Sequence, residues 1–458
     1  MSADRALAYL VEHQESHVAR LCDFLRIPSI SSLSSHKGDV RRAAVFVADE
    51  LRALGLGVEL IEPANGHPLV YAETAPRPGR RTLLVYGHYD VQPVDPLALW
   101  TSPPFEPRIV DDVVYARGAT DDKGQLYAHF NALEAYVRQG LEPPVNLKFL
   151  IEGEEECGGP GVYRFTEQHA AKLACDAVVV SDTSLYDADT PALTYSLRGL
   201  AYCEIRVDGP AKDLHSGSYG GAVQNPANAL AEIIARLKDA QGRVLIPGFY
   251  DDVLPLDTAE REAFRSLAFD EAGFLADTGS PATFSEPGFT PLEGMWGRPT
   301  CDVNGLWSGY IGEGAKTIIP AHAGAKVSMR LVPRQDPQKI AAAFATHVRA
   351  VAPPGVRVTV EALHGAEPVL IPRDSAWMRA GLAALERGFG ARAVFIREGG
   401  SIPIVTTFQN CLGAPVLLLG FGLPNDNAHS PNEKFPLTNF RAGARTVVHL
   451  WEAAAGTS

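Results

Sequence analysis

The sequence has 458 residues, of which 46% are hydrophobic and 21% are charged, so it can fill one or more buried cores. Its formal net charge of −13, without any cluster of Lys and Arg, excludes nucleic-acid binding through a basic surface. Six scattered cysteines form no CxxC pair, which excludes a disulfide scaffold and a zinc–thiolate site and favours a reducing, cytoplasmic location.

The N-terminal segment 1–25 predicts no targeting signal. It carries acidic residues and a helical apolar stripe over residues 5–25, where a signal peptide would have a basic and then an apolar region. No apolar run in the sequence approaches the ~20 residues of a membrane-spanning helix. We therefore expect no membrane association.

Strands and helices alternate over the first part of the chain. A helix is predicted from Asp39 to about residue 54, followed by strands at 58–61, 69–72 and 82–86. The last of these opens into His88 and Asp90, which point to the same side of an extended chain. Asp90 would then orient His88, or both would face one cavity. A turn histidine without such a role is an equal alternative.

Asp121 and Asp122 precede a predicted helix at 125–137. Adjacent aspartates at this position can simply cap a helix and complement its dipole. Capping does not explain why Arg117 and Lys123 crowd the same glycine-bounded turn, so a functional loop stays open beside the capping interpretation.

The predicted strand 145–151 ends in four carboxylates within five residues, which are Glu152, Glu154, Glu155 and Glu156. A solvated acidic loop is the simple interpretation of such a run. Burying these carboxylates at a strand end would be costly unless cations or hydrogen bonds compensated for them. A further apolar strand, 177–180, leads directly to Asp182.

These loops predict one convergent cluster at the carboxyl ends of sheet strands, where α/β proteins usually place active sites. Many carboxylates with few histidines and no cysteine suit divalent metals, and the number of ligands suits two ions. The contributing groups are His88 with Asp90, Asp121 with Asp122, Glu154 to Glu156, and Asp182.

The middle of the chain predicts an α+β unit with an antiparallel sheet. Its strands are expected at 192–196, 201–207, 306–311 and 323–331, its helices at 226–239 and 337–350, and mixed helix and loop at 242–299. His215 lies in a loop between strand and helix. Arg330 lies inside a strand, where it is either an ordinary paired residue or a bidentate carboxylate receptor.

The α/β pattern returns after about residue 385, with strands at 394–396 and 416–419 and a closing helix at 437–454. Between these, residues 397–403 open a helix, so free amides and Ser401 would bind an anion or a backbone carbonyl. His429 lies in a polar loop just after a strand.

Seven motifs together resemble the M20 family of metallopeptidases, and within it the cytosolic carnosinase-type dipeptidases. They run in family order over nearly the whole chain, and are Gly-His-Tyr-Asp-Val-Gln-Pro (87–93), Gly-Ala-Thr-Asp-Asp-Lys-Gly (118–124), Glu-Gly-Glu-Glu-Glu-Cys-Gly (152–158), Ser-Asp-Thr (181–183), Leu-His-Ser-Gly (214–217), Arg-Glu-Gly-Gly-Ser-Ile-Pro (397–403) and Ala-His-Ser-Pro-Asn-Glu (428–433).

The resemblance implies an α/β catalytic domain, formed by residues 1–194 and 386–458, with a mixed, mostly parallel sheet flanked by helices. It also implies an inserted α+β lid and dimerisation domain at 195–385, and hence a homodimer. A cis peptide bond is implied between Asp121 and Asp122.

Two divalent ions per subunit, zinc or manganese, are implied as cofactors. Asp121 would bridge them, His88 and Asp182 would hold one, and Glu156 and His429 the other. Glu155 would be the general base that activates a bridging water, and Asp90 would hydrogen-bond His88. Position 154 departs from the family, since Glu stands where Met is common; Glu154 is therefore a second candidate for the base.

The resemblance further implies a small peptide as substrate, with hydrolysis of the peptide bond of dipeptides. His215 would reach the partner subunit's active site and stabilise the oxyanion, and Arg330 would bind the terminal carboxylate. Glu398 and Ser401 are expected to contact the substrate. Hydrolysis of N-acyl amino acids is the alternative activity within the same family.

Overall fold

The computed structural model describes residues 2–63 and 65–457. Its helices, named in chain order, are α1 Ser2–Glu12, α2 Gln14–Leu25, α3 Lys37–Ala53, α4 Lys123–Val137, α5 Gly161–Gln168, α6 Ala170–Leu173, α7 Ser216–Tyr219, α8 Pro226–Ala235, α9 Thr258–Ser266, α10 Glu271–Thr278, α11 Pro291–Gly297, α12 Pro337–Val351, α13 Ala376–Phe389, α14 Ile404–Leu412 and α15 Leu437–Ala455.

The strands in chain order are β1 Gly57–Ile61, β2 Leu69–Glu73, β3 Thr82–His88, β4 Arg108–Val110, β5 Val113–Tyr115, β6 Asn146–Glu152, β7 Ala177–Val180, β8 Ala192–Leu197, β9 Gly199–Asp208, β10 Leu214–His215, β11 Asp302–Ser308, β12 Ile318–Ile319, β13 His322–Leu331, β14 Arg357–Ala366, β15 Val369–Leu370, β16 Val394–Glu398, β17 Val416–Leu418 and β18 Lys434–Pro436.

The largest sheet has the order β1-β2-β6-β3-β7-β17-β8-β15, and β16 pairs with β8. Its centre is parallel, because β3 pairs in parallel with β6 and β7, and β7 with β17. These strands are continuous apolar runs, which is typical of strands that helices cover on both faces.

Two aromatic contacts show that helices cover both faces of this sheet. Phe130 of α4 packs edge-on against Phe149 of β6, and Phe408 of α14 packs against Tyr86 of β3. Phe149 pairs in register with Val85, so Tyr86 lies on the opposite face from Phe149. Helices α4 and α14 therefore cover opposite faces, and the predicted mostly parallel sheet flanked by helices is confirmed.

The parallel strands place several loops at one edge of the sheet. β3 ends at His88, β6 at Glu152 and β7 at Val180, all with their carboxyl ends on the same side. A small sheet of the order β18-β5-β4 joins the segment before α15 to the segment before α4. Distant parts of the sequence thus meet where the metal cluster was predicted.

The chain forms two compact units. One comprises Met1–Tyr195, Ile371–Ile396 and Ile404–Ser458, and the other Ser196–Leu370 and Arg397–Pro403. Met1, Ala64 and Ser458, which the predicted catalytic domain includes, lie outside the described residues. The roles predicted for 1–194 with 386–458, and for 195–385, stay predictions.

The second unit contains an antiparallel sheet of the order β11-β13-β9-β14. Alternate residues of β9 and β13 are buried, which gives the sheet one apolar face. This face packs with apolar residues of α8 and α12, such as Ile233 and Phe344. The separate antiparallel sheet confirms the α+β part of the predicted fold class.

Several local predictions were wrong. The helix predicted at 5–25 is divided at His13 into α1 and α2, and the strand predicted at 306–311 lies at Asp302–Ser308, since Gly309 then turns the chain with a φ of +66°. Strand β14 and helix α13 were missed. Within the described residues, no helix is both long and apolar enough to cross a membrane.

The close approach of α13 and α15 depends on Gly388. A Cβ atom there would lie 1.9 Å from Thr446 Oγ1 and 2.8 Å from backbone atoms of Thr446. We expect Gly388→Ala to lower the free energy of unfolding by about 1–3 kcal/mol through overpacking. Urea unfolding followed by circular dichroism measures this loss.

Gly38→Ala is the matched control, because Gly38 is also helical but has nothing within 4 Å of an added Cβ. It should leave stability unchanged or raise it by up to about 1 kcal/mol through helix propensity. Equal destabilisation by both substitutions would contradict the packing argument.

Candidate metal centre

Two groups of three potential ligands lie at the carboxyl edge of the main sheet. Each group offers ligand atoms that all lie within 4.8 Å of one another; the groups are His88, Asp121 and Asp182, and Asp121, Glu156 and His429. They contain every residue predicted as a metal ligand. The metal-binding roles themselves stay predictions, and what the structure adds is their geometry.

Asp121 belongs to both groups and directs a different oxygen to each. Its Oδ1 lies 3.1 Å from His88 Nε2, and its Oδ2 lies 2.9 Å from His429 Nε2. His429 Nε2 is also 3.2 Å from Glu156 Oε2, and His88 Nε2 is 3.8 Å from Asp182 Oδ2. This arrangement suits a carboxylate that bridges two ions. The peptide bond from Asp121 to Asp122 is cis, as expected.

The orientation of His88 favours a ligand role for its Nε2 atom. Its ring is fully buried, and Nδ1 lies 3.1 Å from the carbonyl oxygen of Asp90 and 3.5 Å from the Asp90 carboxylate. A carbonyl oxygen only accepts, so Nδ1 carries a proton, and in the neutral ring Nε2 would offer its lone pair to a metal. Nε2 is directed at Asp121 Oδ1 and Asp182 Oδ2, at 3.1 and 3.8 Å, and so lies among the other atoms of its ligand group.

Charge at the site is poorly balanced by the protein alone. Burial raises the pKa of Asp182 well above its usual value, and the nearby Asp121 carboxylate raises it further. Burial likewise raises the pKa of Glu156, and that of Glu155 to about 8. Burial also acts to raise the pKa of Asp121, but its contacts with His429 and His88 outweigh burial and lower it. Cations would compensate for this excess of buried carboxylates, and the oxygen and imidazole donors fit divalent metals.

Glu154 and Glu155 face different surroundings, which separates the two candidates for the base. Glu154 is buried, and its carboxylate accepts hydrogen bonds from the backbone N–H groups of His67 at 3.1 Å and Gly161 at 3.3 Å. The Glu154 carboxylate thus binds backbone N–H groups of neighbouring loops. Burial is the main cause of the raised pKa of Glu155, and the charges of His88, Glu156 and Asp121 also act on it, so Glu155 lies near the ligand groups.

Two residues in the quoted motifs organise the ligands, although no role was predicted for either. Gln92 donates a hydrogen bond from Nε2 to Glu156 Oε2 at 2.8 Å, and the Asp90 carboxylate accepts the backbone N–H of Glu156 at 3.1 Å. Glu433 is the second. The one signal for Gln92 and Glu433 in the sequence is that each lies in a motif that also contains a predicted ligand.

Glu433 is a fully buried carboxylate that holds the loop before α4. It accepts hydrogen bonds from Arg117 Nη1 at 2.8 Å and from the backbone N–H groups of Gly118, Thr120 and Asp121 at 2.9, 3.0 and 3.1 Å. The pairing of β18 with β5 brings it there. Since His429 lies on the same loop as Glu433, this carboxylate fixes the distance between the loops that carry two of the ligands.

The other predicted site residues lie in the second unit or at its boundary. His215 is exposed at the end of β10, where its Nδ1 accepts the backbone N–H of Gly217 at 3.0 Å. Arg330 is half-buried on β13 and donates from Nη1 to Ser401 Oγ at 3.1 Å. Glu398 is half-buried at the end of β16. The structure thus joins Arg330 with Ser401, as part of one polar group.

Comparison with known proteins places this geometry in a family. A family model described as peptidase family M20/M25/M40 matches residues 84–453. The Cys-Gly metallodipeptidase DUG1 of Candida albicans is 34% identical over 456 residues, which are 95% of this chain and 94% of that protein. The crystal structure of human carnosine dipeptidase 1 has a TM-score of 0.87 at 28% identity and covers 99% of both chains. The M20 family metallo-carboxypeptidase Sso-CP2 of Sulfolobus solfataricus has a TM-score of 0.86 at 33% identity, over 96% of this chain and 99% of its own.

The chain therefore belongs to peptidase family M20/M25/M40. The resemblance drawn from the seven motifs is confirmed, and so is the predicted enzyme class, a metallopeptidase of the dipeptidase type.

We expect Glu433→Gln to weaken metal binding about 10- to 100-fold, because the amide keeps one acceptor but places an NH₂ group against backbone N–H donors. Isothermal titration of the metal-free protein with Zn²⁺ or Mn²⁺ measures the affinity without any turnover.

Asp112→Asn is the matched control, because Asp112, like Glu433, is a carboxylate that pairs with an arginine. Asp112 pairs with Arg441 at 2.6 Å near the surface, away from the ligands, so its substitution should leave metal affinity unchanged. Unaltered affinity in Glu433→Gln would show that the loop before α4 keeps its position without this carboxylate.

Proposed function

We propose that this chain hydrolyses the peptide bond of dipeptides at the carboxyl edge of its main sheet, with two divalent ions, zinc or manganese, in each subunit. The observation that carries the proposal is the division of Asp121 between two ligand groups, with one oxygen toward each. His88 and Asp182 would complete one group, and Glu156 and His429 the other.

Bound ions would supply Lewis acidity and make a water molecule easier to deprotonate. The chain's own residues then handle the proton and the peptide. Glu155 lies three residues after the end of β6 and belongs to neither ligand group, and its carboxylate accepts no hydrogen bond from the described residues, so it is available to take a proton from water. It would then deliver this proton to the leaving amine.

Asp90 would act through its neighbours. Its carbonyl and carboxylate face His88 Nδ1, and its carboxylate also accepts the Glu156 N–H. Asp90 would thus hold one residue of each ligand group in place. Its contribution to the reaction would be positional, because its side chain is fully buried.

Recognition of the substrate is assigned to the second unit. Arg330 would bind the terminal carboxylate, and Ser401 supports its guanidinium. Glu398, at the start of the segment that carries Ser401, would contact the peptide. The substrate would then need a free C-terminal carboxylate, so small peptides would be cleaved and internal peptide bonds of proteins would not.

A homodimer through the second unit completes the proposal. Its edge strand β11 and the following turn expose apolar side chains, which are Leu306, Trp307, Tyr310 and Ile311. β11 pairs with β13 on one side only, and an apolar sheet edge of this kind suits a second copy of the chain. His215 would act in the partner's active site and stabilise the oxyanion. The scattered, unpaired cysteines support a cytoplasmic location for the protein.

Carboxypeptidase action on longer peptides is a second candidate, because the Sulfolobus relative is a metallo-carboxypeptidase. A panel of dipeptides, tripeptides, longer peptides and N-acyl amino acids, tested on protein loaded with Zn²⁺ or Mn²⁺, separates the activities. Dipeptides such as Cys-Gly and β-Ala-His should have the highest kcat/KM. Preference for peptides of three or more residues, or for N-acyl amino acids, would overturn the dipeptidase assignment.

We expect Glu155→Gln to bind metal normally and to lose activity by at least about 100-fold, because the amide cannot take the proton. Metal content and kcat are both measured. Glu154→Gln is the adjacent control; it should lower the Tm, because its amide cannot accept both backbone N–H bonds equally well, while kcat changes little. The reverse pattern of kcat losses would make Glu154 the base.

Mixing two inactive variants tests the role of His215 in the partner's site. His215→Ala and Glu155→Gln subunits form mixed dimers in which one site has an intact Glu155 and an intact His215 from the other subunit. A statistical mixture should recover about a quarter of wild-type activity. No recovery in dimers whose exchange is verified by native mass spectrometry would place His215 in its own subunit's site.

A further inference from the structure

A cavity of about 470 Å³ lies over the polar face of the antiparallel sheet in the second unit. Its lining combines apolar side chains, such as Phe274 and Met295, with four cations and two carboxylates. The charged residues are Arg198, Lys238, Arg298, Arg330, Glu286 and Asp302.

Two of these cations are already neutralised. Lys238 Nζ lies 3.1 Å from Asp302 Oδ1, and Arg298 Nη2 lies 2.7 Å from Glu286 Oε2. Arg198 and Arg330 form no salt bridge with any residue that the structure describes. Asp302 of the same cavity attracts both guanidinium groups, but its ion pair is with Lys238, so neither arginine has a carboxylate in direct contact among the described residues.

Arg198 is held beside Arg330 by the turn that contains Ser401. Arg198 Nε donates to the carbonyl of Gly399 at 3.2 Å, and Ser401 Oγ donates to the carbonyl of Arg198 at 2.5 Å while accepting from Arg330. A Cβ at Gly399 would lie 2.8 Å from Arg198 Nη2, so the glycine lets this side chain lie against the turn. The Nη edge of Arg198 keeps donors for a ligand.

The electrostatics agree with two close guanidinium groups. Burial lowers the pKa of Arg198 to about 10, and the positive charge of Arg330 contributes to the same shift. An anion between the two groups would relieve this repulsion. In addition, the hydroxyls of Ser285 and Thr300 line the same cavity and are buried without hydrogen-bond partners among the described residues, so a polar ligand has further groups to meet.

We propose that Arg198 and Arg330 together form a two-guanidinium receptor for the terminal carboxylate of the substrate, with Arg198 as a binding residue in its own right. The inference rests on the proposed peptidase function for the identity of the carboxylate. Each guanidinium offers N–H groups in a fixed plane, so a pair of them can hold both oxygens of one carboxylate.

The test compares each dipeptide with its C-terminal amide, for example Ala-Leu with Ala-Leu-NH₂. We expect Arg198→Met to lower kcat/KM for the free acid about 10- to 100-fold, mainly through KM, as the loss of a charged hydrogen-bond donor predicts. Activity on the amide, which offers no negative charge, should change less than about 3-fold. Arg198→Lys keeps the charge and should recover part of the preference for the acid.

Arg206→Met is the matched control, since Arg206 lies on β9 but is exposed and pairs with Asp208 at 3.0 Å. It should leave both substrates unaffected. Equal losses on acid and amide in Arg198→Met would overturn the proposal and leave Arg198 a structural support of the turn. Circular dichroism and the Tm verify that each variant is folded.

Binding measured without turnover keeps the inference separate from the proposed function. In the Glu155→Gln background, isothermal titration with Ala-Leu and its amide should show tighter binding of the acid, and Arg198→Met should remove that difference. If the wild type hydrolyses no dipeptide but this difference holds, the receptor stands and the peptidase assignment falls. If dipeptides are hydrolysed and Arg198→Met discriminates as the wild type does, the receptor falls.

Discussion

The structure depends on how the protein compensates for the cost of burying a cluster of carboxylates. Carboxylates from several loops converge at the carboxyl edge of one sheet, and burial raises the pKa of Asp182 and Glu156 among them. The protein offsets part of this cost with backbone N–H donors, as at Glu433 and Glu154, and part with the imidazoles of His88 and His429. Bound cations would offset the remaining excess of negative charge at this edge.

Glycines provide the space that buried carboxylates near the site occupy. Added Cβ atoms at Gly159 and Gly161 would lie 2.4 and 2.6 Å from atoms of Glu154, and one at Gly87 would lie 2.7 Å from Asp122 Oδ2. Glycine is therefore needed for close approach at these positions, rather than only for its backbone freedom. The site is shaped by small residues as much as by charged ones.

The sequence predicted the main sheet and the groups at its edge well, because buried parallel strands are continuous apolar runs and the polar residues follow where those runs stop. Glu433 was not assigned a role, since a carboxylate that binds backbone N–H groups of a distant loop leaves no local pattern. Strand β14 was missed because only Val358 and Val360 alternate toward the core, while the residues from Glu361 to Gly365 are exposed. The split of residues 5–25 into two helices was equally hidden, since the apolar stripe continues through the break at His13.

Strand β17 has a consequence for how the chain is made. It lies between β7 and β8 in the sheet, yet it comes more than 200 residues after them. On the ribosome, therefore, the segment that ends with β8 emerges with a gap in its sheet, and the apolar edges of β7 and β8 stay unpaired there until β17 is synthesised. Pairings of such long sequence separation are slow to form and leave strand edges exposed meanwhile. A nascent chain of this architecture thus has a long interval in which it needs protection from aggregation, and the loop that carries His429 is synthesised only after β17.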